Sequence, residues 1–173
     1  MKNNTKVALM TKTAMFTAII TLVTAFLLHI PLGNGYVHLG DVFIYLAACT
    51  LPLPYAIFAA SVGAALADGI TGAAIWVIPT LIIKGLMVLP FTNKESTFLC
   101  KRNIIASFIA GLTCAICYGL AQVIIFKSWA LFFFPNPWIQ SAVSIPMFLV
   151  LAKVFDKLGI KSRLMGEEIK AEI

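Results

Sequence analysis

This sequence has few charged residues. Charged residues make up 12% of its 173 residues, and apolar residues make up 61%. A soluble domain carries roughly 25% charged residues to cover its surface. A chain with so little charge cannot keep its exterior in water. The shortage therefore excludes an ordinary soluble domain and indicates that lipid surrounds most of the chain.

Acidic residues and catalytic motifs are also scarce. The seven Asp and Glu residues are scattered, which argues against a metal-dependent lipid transferase. No Walker motif, H-E-x-x-H or G-x-S-x-G is present. There is no repeated filter sequence typical of a channel, and no internal repeat typical of an autonomous secondary transporter. These absences predict a membrane binding protein that is not an enzyme, has no metal or cofactor, and takes its energy from elsewhere.

Cysteine occurs four times, at Cys49, Cys100, Cys114 and Cys117. Cys114 and Cys117 form a C-x-x-C, which can mark redox chemistry. The pair lies in the middle of an uncharged run, where a buried thiol usually behaves as a small hydrophobic residue. A membrane thiol oxidoreductase that uses these two cysteines, and a purely structural membrane subunit, are the alternative functions.

Apolar runs that approach the roughly 20 residues needed to cross a bilayer recur along the chain. The run at residues 42–67 has no charge but contains Pro52 and Pro54, and proline stops helices. If the run forms two helices separated by these prolines, the sequence predicts an all-α bundle of six transmembrane helices in a single membrane domain, residues 1–173. The predicted spans are residues 12–31, 42–52, 54–70, 73–91, 103–126 and 137–155.

Basic residues predict the orientation of these spans. Eleven of the thirteen Lys and Arg residues lie before or at the start of the first span, between the fourth and fifth, or at the end of the last span and beyond it. Such residues accumulate on the cytoplasmic side, so an even number of spans should separate these segments. This predicts a multi-pass plasma-membrane protein with both termini in the cytoplasm, and makes the charge of +6 an orientation signal rather than a nucleic-acid-binding one. The mixed-charge tail, residues 157–173, is predicted to be solvated.

Polar side chains within the spans concentrate in the predicted outer half. Placing such groups in lipid costs free energy, so they usually face the interior of the bundle or a binding site. The sequence therefore predicts a mostly apolar pocket that opens to the outside. A solvated position is the alternative for His38, and helix-to-helix hydrogen bonding is the alternative for Ser141. The predicted substrate contacts are Asn34, Tyr36, His38 and Asp41 in the first external loop, and Trp76, Thr80, Lys84, Tyr118, Gln122, Asn136, Gln140 and Ser141 farther along the chain.

Lys84 is the least easily explained residue of this set. A lysine in the middle of a span needs a partner or an anionic ligand. We therefore expect it either to pair with Asp68, near the outer end of the third span, or to contact the ligand. The ligand is expected to stack on Trp76, Tyr118 or Trp138, and an interfacial belt position is the alternative for the two tryptophans.

Three stretches of the sequence carry a resemblance to a known family: GYVHLGDVFIYLAA, SVGAALAD and IWVIPTLIIKGL. They resemble the S component of energy-coupling factor (ECF) vitamin transporters, and the riboflavin-type group in particular. The resemblance implies a six-helix subunit that captures a water-soluble vitamin or vitamin precursor from outside. It also implies a transmembrane coupling protein and two cytoplasmic ATPases as partners, docking at Ala14 and Ala18, and a lid formed by residues 33–41.

Overall fold

The structure, a computed structural model, describes residues 2–27, 30–32, 35–133 and 135–169. These residues form a helical bundle with one short hairpin, β1 (Ile30–Leu32) and β2 (Gly35–Val37), between the first two helices. Two 3-10 turns, Ala74–Trp76 and Trp129–Phe133, precede the fourth and sixth helices. The helices are α1 (Lys2–Ala25), α2 (Gly40–Ala48), α3 (Leu53–Ile70), α4 (Val77–Val88), α5 (Lys101–Phe126), α6 (Pro135–Lys157) and α7 (Ile160–Ile169).

Within the described residues, four helical segments are long and apolar enough to cross a membrane. Ala74–Val88 is a shorter apolar segment, and α2 has only nine residues. The predicted helical class is therefore confirmed, and each predicted span contains a helix. The number of crossings, the single domain of residues 1–173 and the cytoplasmic termini stay predictions. The four long segments are Lys6–Ala25, Leu53–Ile70, Lys101–Phe126 and Trp129–Lys157.

Helix α2 lies inside the bundle because, beyond its first turn, it is apolar on every side. Eight of its nine residues are buried, and it packs against α1, α3, α4 and α6. Its Tyr45 stacks on Phe91, with ring centroids 5.2 Å apart, and meets Phe148 edge-on at 5.5 Å. Pro52 caps the start of α3 and Pro54 lies in its first turn, so the chain reverses at the two prolines.

The remaining helices pack side by side around α2: α1 against α3, α3 against α4, α4 against α5, and α5 against α6. Small side chains let helices approach closely in lipid, and α3 uses them on its buried face. The alanines of that face are almost completely buried: Ala56, Ala59, Ala60, Ala64 and Ala67. This side of the bundle is therefore tightly packed, which leaves the space toward α4, α5 and α6 for a cavity.

The C-terminal segment, which its mixed charges predict to be a solvated tail, contains one buried lysine. Residues Ile160–Ile169 form α7, and Lys161 is only 1% exposed. Its Nζ donates to the carbonyl oxygen of Thr97 at 3.0 Å and lies 5.4 Å from the ring centroid of Phe98. The prediction is wrong for Lys161 because the α4–α5 loop supplies a carbonyl and an aromatic ring that receive its ammonium group.

The α4–α5 loop is also tied to the two helices beside it. The carboxylate of Asp156 in α6 accepts the backbone N–H groups of Phe98 at 2.7 Å and Leu99 at 3.0 Å. The amide nitrogen of Asn103 in α5 donates to the carbonyl oxygens of Thr92 at 3.0 Å and Phe98 at 3.1 Å. These bonds satisfy backbone groups that a loop would otherwise leave unpaired.

Candidate functional site

A cavity with an empty volume of about 530 Å³, including the space open to solvent, lies between the start of α2 and helices α3 to α6. Eight of its eleven lining residues belong to the predicted set of substrate contacts. The lining consists of His38, Asp68, Trp76, Thr80, Lys84, Cys114, Tyr118, Gln122, Asn136, Pro137 and Gln140.

The base of the cavity holds a buried ion pair. Nζ of Lys84 in α4 lies 2.6 Å from Oδ1 of Asp41 in α2, and the two side chains are 1% and 0% exposed. The prediction that Lys84 pairs with Asp68 is therefore wrong. Asp68 lies near the C-terminal end of α3, whereas α2 packs directly against α4 and brings Asp41 into contact with Lys84.

Asp41 also holds a neighbouring helix in place. Its Oδ2 accepts a hydrogen bond from Nε2 of Gln140 in α6 at 2.7 Å. Cys114 of α5 lies close to both charges, with its Sγ 3.8 Å from the same oxygen and 3.7 Å from Nζ of Lys84. A buried ion pair needs further hydrogen bonds to compensate for the loss of water, and these contacts supply them. The first turn of α2 favours the carboxylate as well, because the amino end of a helix is partly positive.

One wall of the cavity is aromatic. The rings of Trp76 and Tyr118 have centroids 6.0 Å apart. The hydroxyl groups of Tyr118 and Thr80 are hydrogen-bonded at 2.8 Å, which holds the phenol in position. Nζ of Lys84 lies 5.1 Å from the centroid of the Tyr118 ring, within the range of a cation–π contact. The wall therefore consists of two rings inclined at 55° to each other, and a planar ring can stack on one of them while it meets the edge of the other.

Two side chains present hydrogen-bonding groups beside this wall. Nδ1 of His38 accepts the backbone N–H of Gly40 at 3.0 Å. Gln122 is 8% exposed, and its Oε1 has no hydrogen-bond partner within the described parts of the chain. An unsatisfied buried polar atom costs about 1–3 kcal/mol. The geometry therefore favours a ligand that completes the hydrogen bonding of Gln122.

Residues 4–157 match the family described as ECF-type riboflavin transporter, S component. The chain belongs to this family. Comparison with curated proteins yields no match, and comparison with solved structures yields none. The suspected resemblance is thus confirmed. The S component is a substrate-binding membrane subunit of an ECF transporter, and its family is one of transporter subunits rather than of enzymes. Together with its apolar helices, this makes it a multi-pass membrane protein.

Four predicted contacts of the S component are not among the described residues that line the cavity. Asn34 and the side chain of Tyr36 lie outside the described residues. Asp41 is completely buried behind Lys84 and Gln140 rather than exposed in an external loop. Ser141 donates its hydroxyl hydrogen bond to the carbonyl oxygen of Gly111 at 2.8 Å, which joins α6 to α5.

Three lining residues are additional to the predicted set: Asp68, Cys114 and Pro137. The sequence offers a reason to expect the first two in the lining. Asp68 is an acidic residue near the end of a predicted span, and Cys114 lies one helical turn from Tyr118, on the same face of its helix. Nothing in the side-chain chemistry of Pro137 indicates that it would line a binding site. Trp138 is 37% exposed and lies outside the described lining, whose aromatic residues are Trp76 and Tyr118.

The predicted docking alanines and the two cysteines of the C-x-x-C motif lie within the described residues. Ala14 and Ala18, the predicted docking residues, are both exposed on α1. Cys114 is buried in the cavity wall and Cys117 is half-buried, and both are free thiols. No described contact of these thiols favours the redox alternative over substrate binding.

Proposed function

We propose that this S component is the receptor of an ATP-driven vitamin importer in the plasma membrane. It would bind a water-soluble vitamin or vitamin precursor from outside and hold it during uptake. The observation that carries the proposal is the placement of Gln122, whose buried Oε1 lacks a partner among the described residues, beside the aromatic wall of Trp76 and Tyr118. Transport needs such a site, whereas a purely structural subunit does not.

The chemistry of the lining supports a heteroaromatic ligand. A planar ring stacked on Trp76 and Tyr118 would gain apolar contact. Its heteroatoms would then reach the polar groups of His38, Gln122 and Asn136, which line the same cavity. Mostly apolar walls with a few placed polar groups are typical of small-molecule sites. The glycine-rich loop, residues 33–41, would cover the ligand as a lid.

The energy for uptake would come from partners, because the chain has no nucleotide-binding motif. We propose that a transmembrane coupling protein and two cytoplasmic ATPases act on this subunit. The exposure of Ala14 and Ala18 on α1 supports docking of the coupling protein there, since small residues let a second helix approach closely in lipid.

Identification of the ligand tests the binding proposal. The S component, purified in mild detergent, should release a small heteroaromatic metabolite detectable by mass spectrometry, and a vitamin panel should contain a compound that raises its unfolding temperature. Trp76→Ala should then weaken binding of that compound by about 10- to 100-fold, because ring stacking contributes roughly 1–3 kcal/mol. Trp138→Ala, which changes an aromatic residue outside the lining, is the matched control and should leave binding nearly unchanged.

Absence of both a co-purified metabolite and any stabilising vitamin would refute the proposal. Equal losses of binding in the two tryptophan variants would refute the assignment of the cavity as the site.

A separate experiment tests docking. The double variant Ala14→Trp/Ala18→Trp should lose vitamin uptake and co-purification with the coupling protein, while binding of the vitamin persists. Ile19→Trp is the control because Ile19 is also partly exposed on α1 but points about 140° away from Ala14 and about 100° away from Ala18. Full uptake by the alanine double variant would exclude this docking face.

A further inference from the structure

The exposed side chains at one end of the bundle are mostly basic. This end consists of the α4–α5 loop, the start of α5, the end of α6 and the start of α7, because Asp156 of α6 and Lys161 of α7 both bind the loop. Within residues 92–102 and 153–164, Glu95 is the only exposed acidic residue. The exposed basic residues of these two ranges, here called the basic end, are Lys94, Lys101, Arg102, Lys153, Lys157 and Arg163. This surface therefore carries an excess of positive charge.

Helix α6 combines this charge with an exposed apolar surface. Its last turns place four residues at i, i+3, i+4 and i+7, and therefore on one face of the helix: Val150, Lys153, Val154 and Lys157. The two valines are 62% and 44% exposed. Within the part of the chain that the structure describes, neither lysine forms an ion pair. Like charges four residues apart on a helix repel each other, so a bound anion would stabilise this face.

The start of α5 has the same arrangement. Lys101, Ile105 and Phe108 lie at i, i+4 and i+7 on one face. The lysine is exposed, and the two apolar side chains are 60% and 55% exposed. On both helices the charge lies at the end of the helix, and the exposed apolar side chains follow toward its middle. A phospholipid has its charged headgroup and its acyl chains in the same order.

Arg102, beside Lys101, holds its guanidinium group in a fixed position. Its Nε donates to the carbonyl oxygen of Pro90 at 3.2 Å, and its Nη2 donates to that of Phe91 at 3.4 Å. A guanidinium has five N–H donors, so three of them remain for another partner, and the side chain is exposed. A guanidinium whose plane is fixed can bind a phosphate through two hydrogen bonds.

We propose that the basic end binds phospholipids with an anionic headgroup, and that their acyl chains lie along the exposed apolar faces of α5 and α6. Clusters of Lys and Arg beside the ends of membrane helices attract anionic lipids. A free phosphate or an acidic protein segment would use the charges alone, whereas a lipid uses the charges and the adjoining apolar side chains together. None of the basic-end residues belongs to the described lining of the cavity, so this binding does not depend on the proposed function.

Native mass spectrometry of the S component in mild detergent tests the lipid preference. Phosphatidylglycerol is the anionic probe, and phosphatidylcholine with the same acyl chains is the control lipid. The first phosphatidylglycerol should bind about 5-fold or more tightly than the first phosphatidylcholine, because each basic residue near a membrane surface strengthens the attraction by about that factor. Equal affinities for the two lipids would overturn the proposal.

Charge variants locate the binding surface. The triple variant Lys101→Gln/Lys153→Gln/Lys157→Gln should bind phosphatidylglycerol at least about 5-fold more weakly than the wild type does. The same three substitutions to Arg should retain the affinity, because the charge is kept. Lys127→Gln is the control at the opposite end of α5, which has 26 residues and a length of about 39 Å. Wild-type affinity in the Gln triple variant, or an equal loss in Lys127→Gln, would contradict the assignment.

The folding of these variants can be checked in the same samples. Substitutions of exposed lysines usually change stability little, so the unfolding temperatures with phosphatidylcholine should agree among all variants. Phosphatidylglycerol should raise the unfolding temperature of the wild type and the Arg triple variant more than that of the Gln triple variant. An equal rise in all three proteins would count against the basic end as the site.

Competition distinguishes a lipid from other anionic partners. Glycerol phosphate has the phosphate without the acyl chains, and polyglutamate represents an acidic protein segment. Neither should displace phosphatidylglycerol at equal concentration, since neither can use the apolar faces of α5 and α6. Displacement by glycerol phosphate would show that the basic end is a site for free phosphate compounds, and displacement by polyglutamate would show a site for acidic proteins. Either result would overturn the assignment to lipid.

Discussion

Oγ1 of Thr21 in α1 donates a hydrogen bond of 2.8 Å to the backbone carbonyl of Gly63 in α3. The two helices are in close contact at this point. A Cβ atom on Gly63 would lie 2.9 Å from the carbonyl oxygen of Thr17 and 3.1 Å from Cβ of Ile20. Glycine is therefore required for the α1–α3 packing as it stands.

Gly63→Ala should force α1 away from α3 and lower the free energy of unfolding by about 1–3 kcal/mol, as overpacking usually does. Unfolding in detergent, followed by tryptophan fluorescence, measures the change. Gly69→Ala is the matched control, because a Cβ there would meet no atom within 4 Å. A helical alanine without a clash should leave stability unchanged or slightly raised. Equal losses in the two variants would contradict the close contact.

Removal of one partner of the Lys84–Asp41 pair should be more harmful than removal of both. Lys84→Met leaves the carboxylate of Asp41 buried without a counter-charge, and loss of one partner typically costs about 3–5 kcal/mol. Lys84→Met/Asp41→Asn should recover much of that loss, because no buried charge remains. A double-mutant cycle of unfolding free energies measures the coupling. Additive effects of the two substitutions would be inconsistent with a direct pair.

Asp156 should stabilise the protein by holding the α4–α5 loop. Asp156→Ala leaves the N–H groups of Phe98 and Leu99 without their acceptor, and we expect a loss of about 1–3 kcal/mol in the free energy of unfolding. Glu95→Gln in the same loop is the control, since Glu95 is exposed and surface changes usually stay within about 0.5 kcal/mol. Similar small effects in both variants would show that the loop does not depend on Asp156.

Stability in alkaline solution should depend on Lys161. Burial lowers the pKa of its ammonium below the ordinary value of 10.5. Between the two pKa values the unfolded chain binds more protons than the folded protein, so this group makes stability rise with pH across that window and no longer changes it above 10.5. Lys161→Met should remove that rise, measured as unfolding temperature against pH. Lys157→Met, at an exposed position, should retain it. An identical pH profile for wild type and Lys161→Met would exclude the effect.

The helical class and most of the cavity could be predicted from the sequence because both follow from local patterns. Apolar runs mark helices that cross lipid, and polar residues one turn apart share a face. Thr80 and Lys84 on α4, and Tyr118 and Gln122 on α5, were found in this way, and all four line the cavity. Helical periodicity is sufficient to predict these four residues because it indicates on which face of its helix each side chain lies.

The partner of Lys84 could not be predicted because periodicity does not fix which helices touch. Asp68 is 16 residues from Lys84 along the chain, whereas Asp41 is 43 residues away. Only the packing of α2 inside the bundle brings Asp41 to the lysine. The buried position of Lys161 was missed for a similar reason, since its partner Thr97 is 64 residues away.

Helix α2 has nine residues and is about 14 Å long at 1.5 Å per residue, roughly half the thickness of the hydrocarbon core of a bilayer. It also carries Asp41, and the lysine that compensates this charge follows 43 residues later. During synthesis α2 is therefore complete well before its counter-charge exists. A short segment with an uncompensated carboxylate does not remain in lipid by itself. We therefore expect α2 to be buried stably only once α4 is present to supply Lys84, so that one ion pair would couple the burial of the two helices.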